Sequence, residues 1–239
     1  SAIPASAKDV VSVGGTGNGV NENKIFFLTS RGPTADGRRK PTICAPGQSV
    51  SSAYVAPNSY QSLSGTSMAS PALAGAAALV RQYLTEGWYP TGARVPANGF
   101  VPSAALMKAM CVNSAANDFL VFSAPDSNVG FGRVDLDSVL YFAGDQRRLL
   151  LADFTAGLGH ARSIEYQVQV TDPGTPLEAT LCWTDFPGSP AARTQLVNDL
   201  DLTVTNGVVT YRGNVYAGGV SVTGGSRDSL NVEEAVRIA

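Results

Sequence analysis

The first part of the chain places its apolar residues in short continuous runs. The runs at 7–13 and 43–45 are rich in apolar residues and end at glycine or proline, which is typical of buried strands. The run 72–80 consists of small apolar residues without a charge, so we expect a helix buried on every side. Ser103 is a good helix cap, which predicts a second helix over 104–111, and 136–142 is expected to form a short third one.

From about Gly144 the apolar residues alternate with polar ones. The alternating runs are Ile164–Val170, Leu177–Trp183 and Leu200–Val204, and the pair Asn206-Gly207 is a strong hairpin signal. Several short strands of this kind predict an antiparallel β-sandwich. The chain is therefore expected to contain two domains, an α/β domain over 1–143 and an all-β domain over 144–239.

Composition narrows the class of protein. The chain has 239 residues, of which 44% are hydrophobic and 15% are charged, with a net charge of −2. A chain of this kind can bury a full core. The absence of a basic stripe argues against a nucleic-acid partner. The apolar runs are shorter than the roughly 20 residues of a membrane span, so no membrane span is expected.

One segment carries candidate chemistry. Ser67 follows Gly65 and precedes the alanine-rich run, so it falls in the first turn of the predicted helix. A serine there lies among free backbone N–H groups at the positive end of the helix dipole, where a developing oxyanion would be stabilised. In general, a serine at a helix start is simply a cap.

The residues around Ser67 decide between these two interpretations. The segment Gly65-Thr66-Ser67-Met68-Ala69-Ser70-Pro71 resembles the nucleophile motif of the subtilisin-like serine proteases at six of seven positions. The segments Arg31–Pro33, Lys40–Gly47 and Gly130–Asp135 resemble further parts of that family, although Thr42 stands where the family usually has aspartate. The resemblance implies the C-terminal half of a parallel-sheet protease domain, with Ser67 as the nucleophile of a serine endopeptidase.

The last part of the chain also carries a resemblance. The segments 184–188, 197–202 and 231–233 are similar to the β-barrel that follows the catalytic domain in alkaline serine proteases of the KP-43 kind. This implies that 144–239 is a β-sandwich or jelly-roll domain, truncated before its last strands. The family resemblance further implies a secreted or extracellular protein that acts on protein or peptide substrates.

A nucleophilic serine needs a base and an orienting carboxylate. The single histidine, His160, comes about ninety positions after Ser67, whereas the family order is Asp, His, Ser. We therefore expect His160 to be an exposed loop residue. The resemblance places the catalytic Asp and His, and the amide that completes the oxyanion hole, in the missing N-terminal part of the same protease domain. Residues 1–239 alone are expected to be inactive.

A second function compatible with these residues is a non-catalytic binding module that retains a relict protease half. A lipase-type Gly-x-Ser-x-Gly elbow is not met, because Ala69 stands at its last position. Gly130 and Gly132 lack the strand-then-helix context of a phosphate loop.

The remaining candidates are a metal site and the three cysteines. No cofactor is required for the chemistry. Asp199 and Asp201 fall on one face of a predicted strand, where two carboxylates suit structural calcium, but Asn198-Asp199 equally suits a turn cap. Cys44, Cys111 and Cys182 have no metal or redox spacing, so we expect three buried thiols, with one disulfide and one free thiol as the alternative.

Overall fold

A computed structural model describes residues 3–239 of the chain. Two α-helices, three single-turn 3-10 helices and eleven strands are present in the described residues. The helices are α1 (Thr66–Thr85) and α2 (Ala104–Asn113). The strands are β1 (Val13–Thr16), β2 (Ile43–Pro46), β3 (Val50–Ala53), β4 (Tyr60–Leu63), β5 (Ala115–Ala116), β6 (Arg133–Val134), β7 (Leu177–Cys182), β8 (Thr203–Thr205), β9 (Thr210–Ala217), β10 (Val220–Thr223) and β11 (Glu233–Ile238).

The central sheet has the strand order β1-β2-β6-β5, with β1, β2 and β6 parallel and β5 antiparallel to β6. The first strand begins at Val13, later than predicted, and continues through two glycines to Thr16. These glycines do not end the strand, because its neighbours approach closely: a Cβ on Gly14 would lie 2.7 Å from the Cys44 sulfur. The mixed α/β fold with a parallel sheet agrees with the fold expected from sequence.

Helix α1 packs one face against this sheet and turns the other to solvent. Ala69, Leu73 and Val80 are buried. The expectation of burial on every side is wrong for the described chain, because Ala74 and Ala78 are exposed and Leu79 is 55% exposed. A run of apolar side chains does not reveal whether an element covers each of its faces.

The same helix also runs beyond the apolar run 72–80 and ends at Thr85. Its last turn is held because the buried Tyr83 hydroxyl donates to the Tyr141 carbonyl at 2.6 Å.

The second helix confirms its predicted cap. The Ser103 hydroxyl accepts a hydrogen bond from the Leu106 N–H at 3.1 Å, and the helix then runs from Ala104 to Asn113. Asp153 accepts hydrogen bonds from both the N–H and the hydroxyl of Ser103. The short helix predicted at 136–142 is reduced to the single 3-10 turn Leu136–Ser138.

The C-terminal part contains two small antiparallel sheets. One pairs β7 with β11 along six residues, and the other has the order β10-β9-β8. The Asn206-Gly207 hairpin is confirmed between β8 and β9, with Gly207 at a φ of 86°. The strand predicted at Ile164–Val170 is not formed: its four apolar side chains are 42–55% exposed and no strand edge in the described chain pairs with them. Alternation gives strand propensity, but a strand also needs a partner.

The two parts of the chain share a hydrophobic core. Ala235 of β11 lies in one buried cluster with Ala69, Leu73 and Phe131. The Asn113 amide donates to the Thr180 hydroxyl at 3.0 Å and so links α2 to β7. The C-terminal strands are therefore packed directly on the helices and sheet of the N-terminal part.

The three cysteines are free thiols, with Cys44 and Cys111 buried. Burial raises the pKa of the Cys44 thiol to about 12 and that of Cys111 to about 11. Both thiols therefore remain protonated and unreactive at neutral pH. Among residues 3–239, no helix is sufficiently long and apolar to cross a membrane.

Candidate active site

The turn before α1 is held by close backbone contacts. The Gly65 N–H donates to the Gly47 carbonyl at 2.7 Å, and the Gly47 N–H donates to the Thr16 carbonyl at 3.0 Å. A Cβ on Gly47 would lie 2.9 Å from the Gly65 oxygen and 3.2 Å from the Ala69 Cβ. Gly47 therefore allows the end of β2 and the start of α1 to meet, and this contact fixes where the helix begins.

Ser67 is the second residue of α1 and its side chain is exposed. The N–H groups of Met68 and Ala69 both donate to the Gly65 carbonyl, at 3.0 and 3.4 Å. The N–H of Ser67 precedes these first helical hydrogen bonds, so it is available to a group that approaches the hydroxyl. The geometry thus presents a hydroxyl and one oxyanion donor at the same helix terminus.

A base for this hydroxyl is missing from the described residues. Within residues 3–239, the Ser67 hydroxyl makes no hydrogen bond to another group. His160 lies in the irregular segment between Leu136–Ser138 and β7, and it is exposed, as expected from its loop sequence. The structure therefore does not bring the single histidine and the serine together, and this chain by itself holds an unactivated hydroxyl.

Met68 lies beside the serine and is half-buried. Its sulfur is 3.8 Å from the position that a Cβ on Gly65 would occupy. The thioether therefore packs over the turn that leads into the helix.

The position that departs from the family motif is buried. Thr42 is fully buried, and its hydroxyl accepts hydrogen bonds from the Ser12 N–H at 3.2 Å and from the Lys40 ammonium at 3.4 Å. Lys40 also donates to the Val10 carbonyl at 2.9 Å. Burial lowers the pKa of Lys40 to about 8, since no carboxylate touches the ammonium within the described residues. A threonine hydroxyl and a backbone carbonyl are thus the partners of this ammonium.

Asp199 and Asp201, the two acidic residues that suggested a calcium site, have different surroundings. Asp201 is bound to Arg227, whose Nη1 lies 2.8 Å from the carboxylate. Burial and the neighbouring Asp201 raise the pKa of Asp199. No group of three or more His, Cys, Asp or Glu residues in the described chain is arranged to hold a metal ion.

Sequence reasoning missed a set of buried charges that join the two parts of the chain. Lys8 is paired with Asp185 at 2.5 Å, and Lys108 with Glu233 at 2.7 Å. Arg39 also links the two parts, because its Nη1 donates to the Asn214 Oδ1 at 3.2 Å. One available signal was Lys108 itself, a lone charge within the otherwise apolar face of a helix, which requires a partner when it is buried.

Comparison with known proteins agrees with the motif around Ser67. The chain is 29% identical over 272 aligned positions to the serine protease/ABC transporter B family protein tagD of Dictyostelium discoideum, a match that covers 90% of this chain and 15% of that protein. It is 50% identical over 68 positions to the C5a peptidase of Streptococcus pyogenes, covering 28% of this chain and 6% of the peptidase. The chain thus spans a small fraction of the length of these relatives.

Solved structures give weaker matches. The Clostridium perfringens CspB protease superposes with a TM-score of 0.44 at 27% sequence identity, over 57% of this chain and 27% of that one. The model of the subtilase family matches residues 1–132, which is more than half of the sequence. On the strength of that match, the chain belongs to the subtilase family of serine peptidases.

Proposed function

We propose that this chain is part of a serine endopeptidase that hydrolyses peptide bonds through an acyl-enzyme on Ser67. One observation carries the proposal: the serine of the subtilase nucleophile motif is exposed in the first turn of α1, beside an N–H group that precedes the helical hydrogen bonds. The Ser67 oxygen attacks the carbonyl carbon while a base takes its proton. The amine then leaves with that proton, and water hydrolyses the ester.

The remaining catalytic groups are supplied by a segment outside this chain. In this proposal the segment contributes the Asp, the His and the amide of the oxyanion hole, and it is the N-terminal part of the same protease domain. The solvent-facing side of α1 gives it a place to pack: Ala74, Gly75 and Ala78 are exposed, and a Cβ on Gly75 would meet no atom within 4 Å. Small residues allow another element to approach the helix closely.

The finer assignments belong to the same proposal. The substrates are proteins or peptides, and the enzyme acts outside the cell. The sequence motifs after Trp183 favour a relative of the KP-43 kind, in which residues 1–143 belong to the peptidase domain and residues 144–239 to a β-sandwich.

Peptide hydrolysis by the longer natural protein tests this function. We expect Ser67→Ala to abolish hydrolysis, since a triad without its nucleophile loses about 10⁶-fold in kcat. The matched control is Ser70→Ala, which removes another exposed hydroxyl from the same helix turn and should retain activity. Residues 1–239 alone should not hydrolyse the substrate. Equal activity of Ser67→Ala and the unmodified protein would refute the proposal.

A non-catalytic binding module is the second candidate. The observation that favours it is the Ser67 hydroxyl, which has no base within residues 3–239. The preceding sequence of the natural protein discriminates between the two functions. An Asp and a His in their family motifs support catalysis, whereas other residues at both positions support a relict domain.

A further inference from the structure

A cleft of about 340 Å³ opens between the two parts of the chain, away from the residues of the Ser67 turn. It is bounded by the edge strand β5, the turn between β9 and β10, and one residue each of β7 and β11. Its volume falls in the range of small-molecule sites, roughly 300–1,000 Å³. Its charged and amide side chains are Asn117, Arg147, Glu178 and Arg237.

Arg147 brings an uncompensated positive charge to the cleft. It is exposed, and within residues 3–239 it makes neither a hydrogen bond nor an ion pair. Arg237 is held more firmly: its Nε donates to Glu178 at 2.9 Å and its Nη2 donates to the Ala115 carbonyl at 2.6 Å. The second terminal nitrogen of Arg237 keeps its donors. The cleft therefore combines one fixed guanidinium with one available guanidinium.

An amide adds a third donor. The Asn117 oxygen accepts a hydrogen bond from the Ala124 N–H at 2.7 Å, so the Nδ2 group points the other way, toward the turn at Gly219. A Cβ on Gly219 would lie 1.9 Å from this Nδ2. Glycine at that position therefore leaves room for the amide at the wall of the cleft.

The net charge of the residues that line the cleft favours an anionic ligand. Two arginines and one glutamate give the lining a net charge of +1, while the whole chain has a net charge of −2. The one carboxylate in the lining is already paired with Arg237. Guanidinium and amide donors match a carboxylate, and arginine binds this group with two parallel hydrogen bonds.

We propose that this cleft binds a carboxylate group of a peptide, through Arg147 together with Arg237 and Asn117. Ala116 and the exposed Val220 supply apolar surface for the neighbouring atoms of the ligand. The carboxylate is either an acidic side chain or a chain terminus. The site is independent of the reaction proposed for Ser67.

Chemical-shift titration of the ¹⁵N-labelled chain tests the site with three pentapeptides at low salt. One is Ala-Ala-Glu-Ala-Ala with both ends blocked, the second carries Gln in place of Glu, and the third is penta-alanine with a free C-terminus. We expect shifts at the cleft residues with the Glu peptide, the free-terminus peptide or both, and none with the Gln peptide. The peptide that binds shows whether the carboxylate comes from a side chain or from a chain terminus. Added salt should weaken the binding.

Variants distinguish specific binding in the cleft from general electrostatic attraction to the chain. Arg147→Ala should weaken binding by about tenfold or more, since a hydrogen bond to a charged group is lost. The matched control is Arg193→Ala, which removes another exposed arginine outside the cleft and should leave the affinity unchanged. Glu178→Gln should tighten binding, because it removes the competing carboxylate. No binding by either carboxylate peptide, or equal losses in the two arginine variants, would overturn the proposal.

Discussion

The ammonium of Lys108 lies 2.7 Å from the carboxylate of Glu233, and the two side chains are only 5% and 2% exposed. Lys108 belongs to α2 and Glu233 to β11, so this ion pair joins the N-terminal and C-terminal parts of the chain. Lys108 also donates to the Lys8 carbonyl at 3.1 Å. A buried charge with one fixed partner makes the packing of the two parts specific.

Removing one member of this pair should be costly. Glu233→Gln and Lys108→Met each leave a buried charge without its partner, so we expect each to lower the free energy of unfolding by about 3 kcal/mol or more. The double variant Lys108→Met/Glu233→Met should recover much of this loss. Urea unfolding measures all three. As a control, Asp201→Asn breaks the more exposed pair with Arg227 and should cost less than about 1 kcal/mol.

A second ion pair, Lys8 with Asp185, also joins the two parts and should make their unfolding cooperative. Asp185 also accepts hydrogen bonds from the N–H groups of Val197 and Asn198 at 2.8 and 2.9 Å. Because the two parts share both ion pairs and a core, residues 1–239 should unfold in one transition. Calorimetry and circular dichroism should give the same midpoint. Two separated transitions would show that the parts are independent.

Glu234 should give the stability a distinct pH dependence. Its side chain is 1% exposed, one carboxylate oxygen has no partner, and the other accepts from the Leu202 N–H at 2.6 Å. Burial raises the pKa of Glu234 from 4.5 to about 7, and the negative charges of Asp228, Asp201 and Asp199 add to this rise. Between these two pH values the folded state holds a proton that the unfolded state has released, so stability falls as the pH rises.

The variant Glu234→Gln isolates this contribution. Relative to the variant, the unmodified chain should lose on the order of 3 kcal/mol between pH 4.5 and pH 7, which is the pKa difference expressed as free energy. Chemical unfolding at a series of pH values measures the difference. A difference between the two proteins that does not change with pH would contradict the assignment.

Alanine substitutions at two glycines near Ser67 should change the stability of the chain in opposite directions. Gly47→Ala places a Cβ 2.9 Å from the Gly65 oxygen and should destabilise the chain, whereas Gly75→Ala meets no atom and should stabilise the helix by up to about 1 kcal/mol. In the longer natural protein, the upstream segment is proposed to pack on α1. There, Gly75→Ala should become neutral or destabilising. An equal gain in both proteins would show that this face of α1 stays uncovered.

The sequence predicted the elements whose cause is local. The cap at Ser103, the hairpin at Asn206-Gly207 and the helix that follows Gly65 each depend on a few neighbouring residues, and the structure contains all three. It did not predict the strand bounds at Val13–Thr16, because glycines that usually end a strand are here required by a close neighbour. The strand expected at 164–170 failed for lack of a pairing partner.

The same distinction between local and long-range causes applies to the candidate site. The position of Ser67 at the start of a helix follows from the motif, and its exposure is a property of the fold. The pairing of Lys108 with Glu233 spans 125 positions of the sequence, so no local pattern indicates it. Likewise, the cleft that contains Arg147 is formed by residues from β5, β7, β10 and β11 and from the segments between strands, and it exists only after they pack.

Labelling with a fluorophosphonate tests the central claim most directly, because this probe reacts only with an activated serine. The longer natural protein is treated with the probe, and the modified peptide is identified by mass spectrometry, with Ser67→Ala and Ser70→Ala treated in parallel. We expect a single adduct on Ser67 that is lost in Ser67→Ala and kept in Ser70→Ala. A natural protein that carries an Asp and a His in their family motifs but takes up no label at Ser67 would contradict the account.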